Sequence, residues 1–172
     1  IVGTTATQLI SADSISLTST LGSLGTAEAP LLLNMGAGRL DASAAGDIFL
    51  SETDGDLLAG SISAGRDVVL TSDGGILAAT GSTGVNVSGS GIELRAGSVI
   101  GTADHFLSVA AGLLTATAAD DIRIAANGDL PLNTITSTSG DVLLRATGSI
   151  TDANTDEVAN ILARSISLHS TS

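Results

Sequence analysis

The sequence predicts an all-β solenoid: a right-handed parallel β-helix with three short strands per coil and about six to seven coils. Three observations predict it. The pattern polar corner, apolar, any, apolar recurs along the chain at Ile15/Leu17, Ile48/Leu50, Val68/Leu70, Ile92/Leu94, Ile122/Ile124, Val142/Leu144 and Ile166/Leu168. Such alternation marks a short strand with one buried face. Second, the spacing of Ile48, Val68 and Ile92 recurs unchanged in Ile122, Val142 and Ile166, so a larger unit of about 74 residues repeats. Third, the aromatics that fill most globular cores are scarce, with no Trp, no Tyr and two Phe among 172 residues. Leu, Ile, Val and Ala must supply the core instead, with 21 Gly turning the corners.

The clearest coil spans residues 46–70. It opens on Asp47-Ile48-Phe49-Leu50, passes a Gly/Asp turn to Leu57-Leu58, turns again to Ile62, and closes on Asp67-Val68-Val69-Leu70. Elsewhere the second strand of each coil is expected near Leu32, Leu77, Leu107, Leu130 and Val158. The third is expected at Leu9, Leu40, Val87, Leu114, Ile135 and Leu162. The opening strands are unevenly spaced: the intervals from Ile15 to Ile48 and from Ile92 to Ile122 are longer than the rest. With the opening strands stacked in one file, these two long intervals become coils with an extra outward loop, at 22–30 and 97–105.

The repeat sets the organisation: one β-helix segment over 1–172, with super-repeats at about 1–75 and 76–149 and part of a third at 150–172. Gly22–Leu31 lies over Gly97–Phe106, and Leu40–Ile48 over Leu114–Ile122. Strands this short and evenly built, without hairpin turn pairs between them, do not read as a sandwich. The best helical candidate, Asp156–Arg164, is short and reads equally as an outer loop. The start, Ile1-Val2-Gly3, is neither a signal peptide nor an initiator, so a piece of a longer chain is expected.

Charge narrows the partners. Six basic residues, all Arg, stand against 18 acidic ones, for a net charge of −12. Nucleic acid and anionic membrane both call for basic patches, so neither is an expected partner. No apolar run approaches the roughly 20 residues of a membrane-spanning helix. The absence of cysteine removes disulfides, thiol catalysis and Cys-type zinc sites.

The phrases GSLGTAEAPLLL, DASAAGDIFL, SAGRDVVLTSDGGI and GSITDANTDEVANILARSISL resemble the repeat regions of filamentous-haemagglutinin-like proteins. These are very large secreted or surface-anchored bacterial adhesins and exoproteins. The resemblance implies a right-handed β-helical shaft, export through a Gram-negative-type envelope, and roles in adhesion or biofilm. It carries over no catalytic residue. The expected partners are then flanking repeats of the same parent chain, a host-cell or neighbouring-cell receptor or glycan, and other copies joined end to end into a fibre. The adhesive alternative would act through loops 22–30 and 97–105.

The residues offer few chemical sites. Asp47/Asp67 and Asp121/Asp141 fall one coil apart on the same edge, where calcium could offset their repulsion. The simpler reading is that each Asp caps its own corner through backbone N–H groups. Asp152, Asn154 and Asp156 match the start of a calcium loop, D-x-N-x-D, but the glycine and the distal glutamate of that loop are missing. Calcium is thus the sole cofactor candidate. Among outward positions, Phe49 beside Val69 is a candidate contact surface, and Glu93 is expected to face Arg123 across adjacent coils. His105 and His169 stand apart from any nucleophile-and-acid set. No G-x-S-x-G, H-E-x-x-H or phosphate loop is present. Sugar-cleaving β-helices call for clustered carboxylates, basic residues and aromatic platforms, and this chain has no Lys, Tyr or Trp. The Thr115/Thr117 and Thr134/Thr136 pairs do not extend into the regular Thr ladder of an ice-binding face. A non-enzymatic shaft is the expectation.

Overall fold

The computed structural model describes residues 9–154 and 158–171. They form a parallel β-helix of about seven turns. Sixteen strands among the described residues join one sheet, and every strand pairing in it is parallel. No described residue is helical; Ile161–Leu162, inside the weak helical candidate, is a strand. Residues 156 and 157 of that candidate lie outside the described residues.

Three files of inward side chains run along the axis. The first is Leu24, Ile48, Val68, Ile92, Leu114 and Leu132. The second is Leu57, Ile76, Ile100, Ile122, Val142 and Ile166. The third is Leu17, Ala42, Ile62, Val87, Val109, Ala126 and Ala146. Alternation with a period of two turns the members of these files inward and their strand neighbours outward, as in the buried-intermediate-buried pattern of Ile48–Glu52. Each file stacks like on like about 4.8 Å apart, so the apolar area is buried mostly between adjacent coils.

Ile48, Val68 and Ile92 stack as the sequence predicts, and so do Ile122, Val142 and Ile166. The single file of opening strands does not form. Ile15 pairs with Leu40 rather than lying under Ile48, and Ile92 is followed by Leu114 rather than Ile122. The opening strands therefore occupy three different files. Along the first file, Leu24, Ile48, Val68, Ile92, Leu114 and Leu132 follow one another at near-even intervals. The two expected long coils do not exist: each long interval is one ordinary coil plus a third of the next. The physical reason lies in Leu24 and Ile100, expected in outward loops: both are fully buried and stack on Ile48 and Ile122, so each long interval holds one more core step than a single coil.

Ends and middle differ in burial. Leu144 is 1% exposed, whereas Leu168, its partner on the last coil, is 50% exposed. Leu94→Ala, in the middle of the shaft and fully buried, should lower the unfolding free energy by about 2–5 kcal/mol. Leu168→Ala should cost clearly less. Urea unfolding followed by far-ultraviolet circular dichroism checks both, and equal losses would contradict a shaft held by neighbour-on-neighbour stacking.

Candidate functional site

Two of the loops among the described residues, after Leu24 and after Ile100, are built alike. Leu24 is buried on Ile48: its N–H donates to the Asp47 carbonyl at 2.9 Å, and the Phe49 N–H donates to the Leu24 carbonyl at 2.7 Å. Ile100 sits on Ile122 in the same way, with its N–H to the Asp121 carbonyl at 3.0 Å and the Arg123 N–H to its own carbonyl at 2.7 Å. A left-handed glycine follows in each case, Gly25 at φ 73° and Gly101 at φ 67°. A Cβ on Gly25 would fall 2.5 Å from the Phe49 carbonyl oxygen, and one on Gly101 would strike that of Arg123. Only glycine meets both demands.

A tight turn then closes each loop. Thr26 N–H donates to the Ala29 carbonyl at 3.0 Å, and Ala29 N–H to Thr26 Oγ1 at 3.1 Å. Thr102 N–H donates to the His105 carbonyl at 2.8 Å, and His105 N–H to Thr102 Oγ1 at 3.0 Å. Leu24, Gly25 and Thr26 thus match Ile100, Gly101 and Thr102, one place off the alignment read from sequence. Only the stretch after each glycine projects; Leu24 and Ile100 belong to the core.

The first loop forms one side of a groove on the outer wall, and a groove also lies near the second. Phe49 pairs with Val69 and Val69 with Glu93, all three half-buried. With Ala27 and Pro30 of the loop, and with Leu50, Thr71 and Arg95, they line a groove of about 350 Å³. The candidate contact residues Phe49 and Val69 thus lie side by side in this groove, and the loop forms one of its sides. At the second copy, Leu143, Leu144, Arg145, Ser167 and His169 line a groove of about 420 Å³. There Phe106 replaces Pro30, and the Arg145 guanidinium lies over its ring, 4.2 Å from the centroid. The geometry repeats, but the chemistry of the lining does not.

The corner carboxylates are tied up. Asp47 Oδ1 accepts the Asp67 N–H at 3.2 Å, Asp67 Oδ1 the Gly91 N–H at 2.9 Å, and Asp121 Oδ1 the Asp141 N–H at 2.7 Å. Asp41, Asp56 and Asp129 accept from Ser61, Gly75 and Ser149 at 2.9, 2.6 and 2.8 Å. The expected caps on each residue's own corner are thus replaced by bonds to the next coil. The cause is geometric: a corner amide that leaves the strand ladder points along the axis, where the preceding coil's carboxylate stands.

Sequence reasoning missed two buried polar devices. Glu52 is fully buried, accepting the Met35 N–H at 3.0 Å and the Asp54 N–H at 3.1 Å. Asn86, 2% exposed, donates to the Ala59 and Gly60 carbonyls and accepts the Ser108 N–H, spanning three coils. Asn160, its counterpart one super-repeat on, donates to the Leu132 and Asn133 carbonyls. That repeated Asn before an apolar residue was the available signal.

Arg95 and Arg123 pair with acids on their own coil. Glu93 pairs with Arg95 on its own strand, and Arg123 with Asp121 at 2.8 Å, so the expected Glu93–Arg123 contact is absent. Glu93 stacks against Thr115, and Arg123 lies in another file. Arg164 grips Asp141 with both fork nitrogens, at 2.9 and 3.0 Å. That hydrogen bond holds the Asp141 carboxyl below its usual range; for Asp121 the Asp141 N–H is the main cause, with Arg123 adding to it.

Of the candidate calcium ligands, Asp152 Oδ1 accepts from the Asn154 N–H and from Asn160 Nδ2, both at 3.0 Å. Asn154 Nδ2 donates to the Asn133 carbonyl at 3.2 Å. Asp156 lies outside the described residues. No group of three or more metal-ligating side chains occurs among the described residues, and no helix among them is long and apolar enough to cross a membrane. No family model, curated protein or solved structure matches the chain.

Two measurements probe this surface. Gly25→Ala should cost more than about 1 kcal/mol, and more than Gly81→Ala, where φ is 79° but no atom lies within 4 Å. Urea midpoints of the two variants compare them. For Asp121 and Asp141, a depressed native pKa means stabilisation that is present above the unfolded value near 4 and lost as pH falls through the native values. The stability gap between the native chain and the Asp121→Asn/Asp141→Asn variant should therefore be full at pH 7 and close below about pH 4. A gap unchanged at pH 3 would refute the charge contribution.

Proposed function

We propose that this chain is a shaft segment of a large secreted or cell-surface bacterial adhesin of the filamentous-haemagglutinin-like type. In this reading it is non-enzymatic, needs no cofactor, and stands on the outer surface of a Gram-negative-type cell. It winds to the right, as parallel crossovers nearly always do. Its work is mechanical: it holds distal domains away from the cell and presents a regular acidic surface.

The observation that carries the reading is where the polar groups point. The corner carboxylates, the buried Glu52 and Asn86 all bind backbone of adjoining coils, so the chemistry that could form a site holds the rod together. Ile166 and Leu168 keep about half their surface exposed, which suits covering by a further coil of the parent chain. Nucleic acid and lipid bilayers have no place in this reading, given a net charge of −12.

A second reading rests on the duplicated loops, the first of which forms one side of a groove: they could grip a receptor or glycan. Cells displaying the parent separate the two. With a shaft, removing super-repeats should lower attachment in step with length, about 4.8 Å of reach per coil, while replacing 26–30 and 102–106 by short glycine turns should leave it unchanged. Loss of attachment on loop replacement at constant length would overturn the shaft reading in favour of the adhesive one.

A further inference from the structure

The two grooves occupy equivalent places in successive super-repeats, so each is a control for the other. Arg145, Ser167 and His169 of the second groove stand where the first has Thr71, Glu93 and Arg95. In the first, Glu93 and Arg95 form an ion pair and neutralise each other. In the second, serine replaces the acid, histidine replaces its arginine, and a further arginine replaces threonine. A carboxylate is lost and a cation gained, in a chain whose net charge is −12. No other described acid compensates. Arg39, Arg95, Arg123 and Arg164 each pair with a carboxylate. Arg145 instead lies over the Phe106 ring, and its guanidinium N–H groups have no acceptor among the described residues. Arg145 and His169 are register partners on strands about 4.8 Å apart, with Ser167 two residues before His169 on the same face. A guanidinium fork, an imidazole and a hydroxyl thus share one groove of about 420 Å³ with the apolar Leu143, a size within the range of small-molecule sites. A further coil would not close it: Leu107–Ala118 stacks on Val87–Ala96, yet Glu93 and Arg95 still line the first groove.

We infer that the second groove binds a single carboxylate carried on a sugar-sized, hydroxylated body, of which a uronic acid is the simplest case. The Arg145 fork takes the planar carboxylate through paired N–H bonds. The His169 imidazole adds a donor beside it, Ser167 meets a ring hydroxyl, and Leu143 packs on the C–H face of the ring. One negative charge is the right number. The field of the acidic chain opposes multivalent anions at a distance, while short bonds to Arg145 act within the groove. The first groove, whose arginine is already held by Glu93, has no free fork to offer.

The chain has two histidines, so imidazole C–H signals in a proton magnetic-resonance spectrum report on the groove, with His105→Gln identifying that of His169. Sodium glucuronate, added at constant pH, should shift the His169 signal saturably, and glucose should leave it in place. Arg145→Gln should weaken glucuronate binding by about tenfold or more, the worth of one charge-assisted hydrogen bond. Ser167→Glu, which restores the acid of the first groove, should abolish it. Both substituted positions are exposed, so the fold should survive, as circular dichroism would show. A His169 signal that glucuronate leaves unmoved would overturn the inference. So would acetate, phosphate or glucose acting as strongly as glucuronate, or unchanged binding in Ser167→Glu. Each result is independent of the shaft reading, which the attachment assay decides.

Discussion

A carboxylate oxygen at a coil's corner, accepting the amide of the coil above, decides how this shaft is registered. Aliphatic stacking supplies most of the stabilisation but discriminates poorly: shifting a coil by two residues would still lay Ile on Leu and keep the same face inward. The same slip would separate Asp67 from the Gly91 amide and Asp121 from the Asp141 amide, leaving a donor and an acceptor without partners. Removing one such bond costs on the order of 1 kcal/mol. Repeated at corner after corner, it specifies one register among several of similar apolar burial.

That arrangement also answers the problem posed by 18 acidic residues and six arginines. Asp47 and Asp67 stand one above the other, close enough that two bare carboxylates would repel. Each faces an amide dipole of the following coil, which offsets part of the repulsion without a cation. At the other stacked pair arginine adds to this: Arg123 pairs with Asp121 and Arg164 forks onto Asp141 across a coil, while Arg145 lies on Phe106 at the edge of a groove. The acidic surface and the stability of the rod are thus compatible, because many of the acids are structural acceptors.

Much of this was legible in the sequence, and what was not has definite physical causes. The polar-apolar-any-apolar phrase located the strands, and spacing alone gave the larger repeat and the Phe49–Val69 contact. Spacing could not say on which face a strand lands, since that depends on how many corners intervene. Leu24 and Ile100 sit beside glycine in Gly- and Thr-rich stretches and join the sheet only as isolated bridges, so they carry no strand alternation. Reading them as loop put Ile15 beneath Ile48 and Glu93 beside Arg123. The bonds of Asp67, Glu52 and Asn86 were hidden for a related reason: their partners lie on neighbouring coils, beyond the reach of any local turn pattern.

The mismatch between unit and turn has a mechanical consequence. Ile48 and Ile122, equivalent residues of successive super-repeats, stand in different files, and each super-repeat carries its own irregularities, the alanine-lined stretch and the loop after its left-handed glycine. Were the unit a whole number of turns, these would pile up on one side, and small distortions of equal sense would add into a curved rod. A shift of one file per unit places each irregularity on a new face, so that a bend introduced by one copy is cancelled once all three faces have received it. Stiffness then becomes nearly the same in every direction. A long chain built this way can stay straight although none of its coils is symmetric.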